Sequence, residues 1–443
     1  MNAETLLPIL MFFFLFVFIM TGFPVAFSLA GTAFLFAMLG YYFDLFLLSD
    51  FGFIPSKIFG VIQNVTLLAV PLFILMGIIL EKSGISEDLL GTMEKMFRKI
   101  RGGLPIALIL VGALLAASTG IVGATVVTMG ILALPPMLAR NYDKKLACGT
   151  IAASGTLGQI IPPSIVLVLL GDMMNVAVAD LFAGALVPGF LLVLLYILYV
   201  YIRIRLNPGL APIKSDLDQK IGVSLKQVFS SLVPPLLLML LVLGSILFGV
   251  ASPTESAACG AVGALILTII KGKFSWNLLW VAAKKTTSMT TMVFTLLIGA
   301  QFFSVVFRGL YGDELITDFI LDLEVNRYIV FIIVMLLMFF LGFFLDFIEI
   351  CFIVIPLVAP ILTGELGLNP IWLAIMFAVN LQTSFLTPPF GFALFYLKGV
   401  APPQISTLDI YIGIIPFVII QLATLLILAC FPSLVTVLPE LLF

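Results

Sequence analysis

The chain has 443 residues, 62% of them hydrophobic and 10% charged, with a formal net charge of −2 and no histidine. This composition excludes a soluble globular domain. A charge so near zero leaves no nucleic-acid surface, and the lack of histidine removes the usual ligand and general base of metalloenzymes. Repeated apolar runs of about 20 residues describe a polytopic protein embedded in a lipid bilayer. Cys148, Cys259, Cys351 and Cys430 stand singly in apolar runs, without metal or redox spacing, and read as small packing residues.

Basic clusters at 82–101, 140–145, 203–226 and 271–285 mark the cytoplasmic side. They place spans near 5–21, 24–42 and 57–80, with the N-terminus outside. The first run lacks a basic leading segment and reads as a retained span, not a signal peptide. Residues 86–100 form an amphipathic interfacial segment, with Leu89, Met93, Met96, Phe97 and Ile100 on one face.

Residues 104–138 carry no charge and are flanked by basic residues on both sides, so the chain returns to the side it left. The middle reads Ala117-Ser118-Thr119-Gly120, a turn-compatible break. At 1.5 Å per residue the two arms reach roughly 21–27 Å, short of a hydrocarbon core of about 30 Å. A re-entrant hairpin with its tip near the midplane follows; the competing reading is two complete, tightly joined spans.

A span over 147–171 is interrupted by Ala153-Ser154-Gly155-Thr156-Leu157-Gly158-Gln159-Ile160-Ile161-Pro162-Pro163-Ser164. Two adjacent prolines break a helix. Backbone groups freed in hydrocarbon cost several kcal/mol each unless something satisfies them. Span 181–202 returns to the polar connector 207–227.

Spans 228–250 and 254–270 follow, then an interfacial segment 274–285 and span 286–307. A second amphipathic segment, 313–324, leads to a second hairpin, 328–363, flanked by acidic residues and therefore entering from outside. Leu381-Gln382-Thr383-Ser384-Phe385-Leu386-Thr387-Pro388-Pro389-Phe390-Gly391 interrupts span 373–397, and span 408–431 closes the pattern. The proline pairs lie 226 residues apart and the hairpin starts 224 apart. Five crossings separate the hairpins, so the second copy is inverted. The expected fold is an all-α polytopic membrane protein with about 10 transmembrane helices, two re-entrant hairpins and two halves, 1–206 and 228–443. Paired broken helices in an inverted repeat are transporter architecture.

With these stretches in hand, the chain resembles the large membrane subunit of the tripartite ATP-independent periplasmic (TRAP) transporters over nearly its whole length. The likeness rests on Gly149 to Ser164, Leu181-Phe182-Ala183-Gly184-Ala185-Leu186-Val187-Pro188-Gly189, Ser252-Pro253-Thr254-Glu255, Gly342 to Asp346, and Leu386 to Gly391. Where the family often reads Ser-Gly-Ser-Ser at the first tip, this chain has Ser118-Thr119-Gly120. The resemblance implies a sodium-driven, elevator-type importer in the bacterial inner membrane. It also implies a small four-helix membrane subunit and a periplasmic binding protein delivering a small organic anion, such as a 2-oxo acid. A stand-alone sodium–carboxylate symporter of similar architecture is the alternative.

Sodium is a hard cation suited to carbonyl and hydroxyl oxygens. Two cation sites are expected, one per half. The first joins Ser118, Thr119 and Gly120 to Gly155, Gly158 and Pro162. The second joins Gly342, Leu345 and Asp346 to Thr383, Ser384, Thr387 and Pro388. Substrate is expected between the tips, near Ser118, Thr119, Ser154, Gln159, Glu349, Asn380 and Gln382. A carboxylate at membrane depth points to function by default; for Asp346 the competing reading is a helix cap, as it is for Glu255. Tryptophans and tyrosines near span ends read as interface anchors. No catalytic residues are expected, because neither a histidine pair nor an obvious aspartate pair supports an intramembrane enzyme.

Overall fold

Proline pairs and turn residues divide a nearly continuous apolar chain into helices. The computed structural model describes residues 3–97, 100–119, 122–211, 225–322 and 326–443. The first elements are α1 (Ala3–Met20), α2 (Val25–Tyr42), α3 (Phe53–Gln63), α4 (Ala69–Lys82) and α5 (Ile85–Phe97). The first hairpin is α6 (Gly103–Thr119) and α7 (Val122–Ala139), followed by α8 (Lys144–Thr156), α9 (Ile165–Met174) and α10 (Val178–Leu206). Then come α11 (Leu225–Leu247), α12 (Pro253–Ile270), α13 (Trp276–Gly309) and α14 (Gly312–Asp322). The second hairpin is α15 (Arg327–Leu341), α16 (Phe347–Ile353) and α17 (Ile355–Pro360), followed by α18 (Pro370–Leu386), α19 (Phe392–Val400), α20 (Thr407–Cys430) and α21 (Ser433–Leu442). Among the described residues no strand occurs, and eight helices are long and apolar enough to cross a membrane, or up to ten if two bent pairs count as single spans.

The packing repeats along the chain. Helices α8 and α18 begin 226 residues apart, and α5 and α14 begin 227 apart. α2 packs on α13 and α12 on α4; α7 packs on α19, and α16 and α17 pack on α9. α8 lies against α20, and α18 against α10. At the α8–α20 crossing Gly149 and Gly413 meet backbone to backbone, and a methyl on either would run into the other helix. Small residues of this kind let membrane helices approach closely.

Several elements depart from the sequence-based expectation. The span foreseen as continuous over 57–80 is bent by 54° between α3 and α4. Asn64 sits at the bend, and its side chain accepts from Thr66 N at 3.0 Å. A short amide that bonds its own backbone competes with the helix. Conversely, the interfacial segment 274–285 and the span 286–307 are one helix, α13, of 34 residues. No glycine or proline interrupts 276–298, so the helix runs on for about 51 Å. The returning arm of the second hairpin bends by 43° beyond α16, and Ile361–Glu365 forms a π turn. Pro356 and Pro360 account for the irregularity, since neither can donate to the preceding turn. On α5, Leu89 and Met93 are buried and Met96 is exposed; Ile100, beyond the helix, is exposed too.

Helix α21 has no counterpart in the expected spans; it lies across α10, with the Val435 carbonyl close to Gly184. Trp276 and Trp280 are exposed, as anchors would be, but Trp372 is buried and donates from Nε1 to Leu428 O at 2.9 Å, and Tyr196 is fully buried. Cys148 and Cys351 are buried packing residues, whereas Cys259 and Cys430 are exposed. Of the connector, 212–224 lies outside the described residues.

Gly413→Val places side-chain carbons against the α8 backbone. We expect a loss of about 1–3 kcal/mol, the usual range for overpacking, read as a lower thermal midpoint in detergent. An unchanged midpoint would mean that the two helices do not meet there.

Candidate transport site

Proline chemistry builds the two helix breaks in the same way. Pro162 and Pro163 cannot donate to the carbonyls of Gly158 and Gln159, and the Ser164 hydroxyl replaces the missing donor at Gln159 O, 2.7 Å. Pro388 and Pro389 likewise withdraw donors from Ser384 and Phe385, and Thr387 N reaches back to Ser384 O at 3.1 Å. Among the described residues no such replacement is found at the Gly158 or Phe385 carbonyl. Both proline pairs are joined by cis peptide bonds.

Most hydroxyls around the breaks are turned onto their own helices. Ser154 donates to Thr150 O at 2.6 Å, Thr156 to Ala153 O at 3.0 Å, Thr383 to Val379 O at 2.7 Å, Ser384 to Leu381 O at 2.8 Å and Thr387 to Thr383 O at 2.7 Å. Asn380 Nδ2 donates to Met335 O at 2.8 Å, tying α18 to the second hairpin. The amides behave differently. Gln382 Nε2 donates to Thr156 Oγ1 at a long 3.4 Å, across a sequence separation of 226. Equivalent positions of α8 and α18 therefore touch each other. Gln382 Oε1 and both polar atoms of Gln159 are fully buried without a hydrogen-bond partner in the protein. Each such group costs about 1–3 kcal/mol.

The second hairpin tip meets the second break. A methyl on Gly342 would collide with the Ser384 side chain. Phe347 packs near Phe385 with centroids 6.0 Å apart, and Phe344 near Phe390 at 5.5 Å. Leu345 is buried beside them. Asp346 caps α16: its Oδ1 accepts from Phe347 N at 2.7 Å, and Glu349 Oε2 accepts from Asp346 N at 2.9 Å. The cap reading of Asp346 thus holds, and Glu349 is its partner; a capping carboxylate still has lone pairs to offer a cation.

Around the first tip, Gly155 lets α7 approach so closely that a methyl there would meet Val126, and Gly112 does the same between α6 and Ser154. Gly158 and Pro162 are buried in the break. Gly120, and the side chains of Ser118 and Thr119, lie outside the described residues.

Glu255 stands apart from these groups. Its Oε2 accepts from Ser252 N and Oγ at 2.8 Å. It is a helix cap, repeated at the start of α20 by Ser406 and Asp409. Sequence reasoning missed the Asn64–Asp172 hydrogen bond between the α3–α4 bend and the C-terminal part of α9. The polar pair gave no signal, because it joins residues 108 apart.

A helical chain with two such breaks and eight to ten candidate spans is a polytopic membrane protein of transporter type. It shares its fold with the Alcanivorax borkumensis YdaH transporter, at a TM-score of 0.63 with 15% identity and 89% of each chain covered. The profile described as "Tripartite ATP-independent periplasmic transporter, DctM component" matches residues 12–434. The chain is 30% identical to a Vibrio cholerae C4-dicarboxylate TRAP transporter large permease protein, with 95% of each covered. It is 28% identical to the sialic acid TRAP transporter large permease protein of the same species, again with 95% of each covered. The chain belongs to the tripartite ATP-independent periplasmic transporter family, as a DctM component. Its relatives are transport permeases and not enzymes.

The Gly342–Ser384 approach is testable without any transport assay. Gly342→Ala should cost about 1–3 kcal/mol through overpacking, and adding Ser384→Gly should recover part of it. A double-mutant cycle on thermal midpoints reads the coupling; strictly additive effects would mean that the tip does not touch the break.

Proposed function

We propose that the chain is the sodium-coupled large membrane subunit of a tripartite importer for a small organic anion. Two halves, 1–206 and 228–443, are related by inversion, and the N-terminus faces the periplasm. The hairpins, the broken helices and α10 and α20 form a moving unit. It slides as an elevator against a scaffold of α1 to α4 and α11 to α13. The observation that carries this reading is the crossing at Thr156 and Gln382, where buried amide atoms lack partners between two broken helices. Polar groups left in this state suit a site that closes around cargo.

Sodium, the co-transported ion, would be held by carbonyl and hydroxyl oxygens. On the second side these are Gly342, Leu345, Asp346, Thr383, Ser384, Thr387 and Pro388. On the first side they are Ser118, Thr119, Gly120, Gly155, Gly158 and Pro162. Ser154, Gln159, Glu349, Asn380 and Gln382 lie on the substrate side. Two relatives are named for C4-dicarboxylates and for sialic acid. These molecules differ in size and shape but share a carboxylate, which supports an organic anion as cargo. The family's tripartite description supports a small membrane subunit and a periplasmic binding protein as partners.

Asp346→Ser separates the cap from the charge, because serine still caps a helix. We expect normal expression and thermal stability within about 1 kcal/mol. The sodium half-saturation for proteoliposome uptake should rise about tenfold or more, the loss of one charge-assisted contact. Unchanged sodium dependence would remove Asp346 from the ion site. Uptake that proceeds fully without any binding protein would replace the tripartite reading with a stand-alone symporter.

A further inference from the structure

A hydrogen bond joins the scaffold to the moving unit at the place where one span is bent. Asn64, between α3 and α4, donates from Nδ2 to Oδ1 of Asp172 on α9. Its own Oδ1 accepts from Thr66 N at 3.0 Å, so the bend fixes which way the amide points. The same bend is tied to the start of α12, where Thr254 Oγ1 donates to Val65 O at 2.7 Å. α4 also packs on α12. One side of the bend is thus bound into the scaffold, and the other side holds the unit that carries the breaks.

Two observations separate this bond from ordinary packing. Asp172 lies in the last turn of α9, which ends at Asn175 in a left-handed conformation. A carboxylate there meets the negative end of the helix dipole. The helix does not favour it, and among the described residues its side chain has no partner other than Asn64. The second half also lacks the device. The residue 226 positions after Asn64 is Thr290, inside the unbroken helix α13. The residue 226 after Asp172 is Lys398, which donates to Ile405 O at 2.8 Å within its own unit. The equivalent elements fold without the bend and without the bond, so the fold requires neither.

The ion pairs of α5 make a useful contrast. Asp88 joins Lys271, just beyond α12, at 2.9 Å, and Glu94 joins Arg140, just beyond α7. These pairs reach from scaffold to hairpin through an intervening helix, whereas Asn64 and Asp172 touch directly. A direct bond between two bodies that slide past each other cannot survive the slide.

We propose that Asn64 and Asp172 form a latch that fastens the moving unit to the scaffold in one conformation and opens when the unit slides. This rests on the transport reading above. The alternative is a permanent bond inside one rigid body.

The test follows the two bodies in the full-length chain in liposomes. Nitroxides on the native, exposed Cys259 of α12 and Cys430 of α20 report their separation by pulsed electron paramagnetic resonance, while Cys148 and Cys351 are buried. The wild type should give two distances, one of them dominant. Asp172→Leu removes the acceptor, and Asn64→Asp removes the donor while keeping an oxygen for Thr66 N. Each should move the population ratio about tenfold away from the dominant distance, the loss of one hydrogen bond to a charged group, or about 1.4 kcal/mol. The exchange of Asn64→Asp with Asp172→Asn again sets an amide against a carboxylate. It should return the ratio to within about threefold of the wild type.

Two distances whose ratio neither single variant changes overturn the latch and leave the transport reading standing. Shifts that the exchange does not reverse overturn the pairing of these two side chains, and the latch with it. One distance in the wild type and every variant, with and without sodium, means that the bodies do not move, and overturns the transport reading itself.

Discussion

Backbone groups that lose their hydrogen bonds inside an apolar interior are the constraint from which the other features follow. Prolines at 162, 163, 388 and 389 strip donors from four carbonyls within two otherwise ordinary helices. Soluble proteins pass such groups to water. A chain that is 62% hydrophobic must satisfy them from within. Ser164 and Thr387 do so at two of the four. The remaining carbonyls lie beside glycines and hydroxyls, a donor-poor and oxygen-rich setting that suits a hard cation better than another side chain.

Glycine contacts hold these breaks in place. Gly149 and Gly413 lock α8 to α20, Gly155 and Gly112 bring the first hairpin onto α8, and Gly342 brings the second hairpin onto α18. In lipid there is little hydrophobic gain from helix association, so close van der Waals approach carries the packing. The same closeness explains why the crossing of α8 and α18 is tight enough for Thr156 to meet Gln382, and why the amides there find so few partners. A cavity of about 150 Å³ lies elsewhere, lined by Arg308, Asp313, Thr317 and Glu365 between α13, α14 and the returning arm of the second hairpin. The space lies where the returning arm of the second hairpin meets α13 and α14.

Asp346 illustrates how one residue can satisfy two readings. It caps α16 and receives Glu349 as its reciprocal partner. The cap explains why the chain can turn at the tip without exposing the first amides of the helix. The cap engages Oδ1, and a carboxylate has further lone pairs to offer. A helix cap and an ion ligand are therefore compatible roles for the same carboxylate, whereas Glu255 and Asp409 cap their helices at exposed ends.

Periodicity, charge and proline spacing were enough to read the order of most helices and both breaks, while the family was read from the resemblance of specific motifs. Each of these is local: a run of apolar residues must be helical in lipid, and a proline pair must interrupt it. The repeat offset was legible for the same reason, since it needs only positions along the chain. Three things were decided by tertiary structure. Asn64, at the bend of one span, donates its amide to Asp172, 108 residues away. α13 carries Gly299 where the α2 backbone approaches it at Ala26. Tyr396 lies over the start of α7 because Gly123 leaves room for its ring. In each case the deciding partner is remote in sequence, and a contact between distant residues leaves no trace in the periodicity of either one.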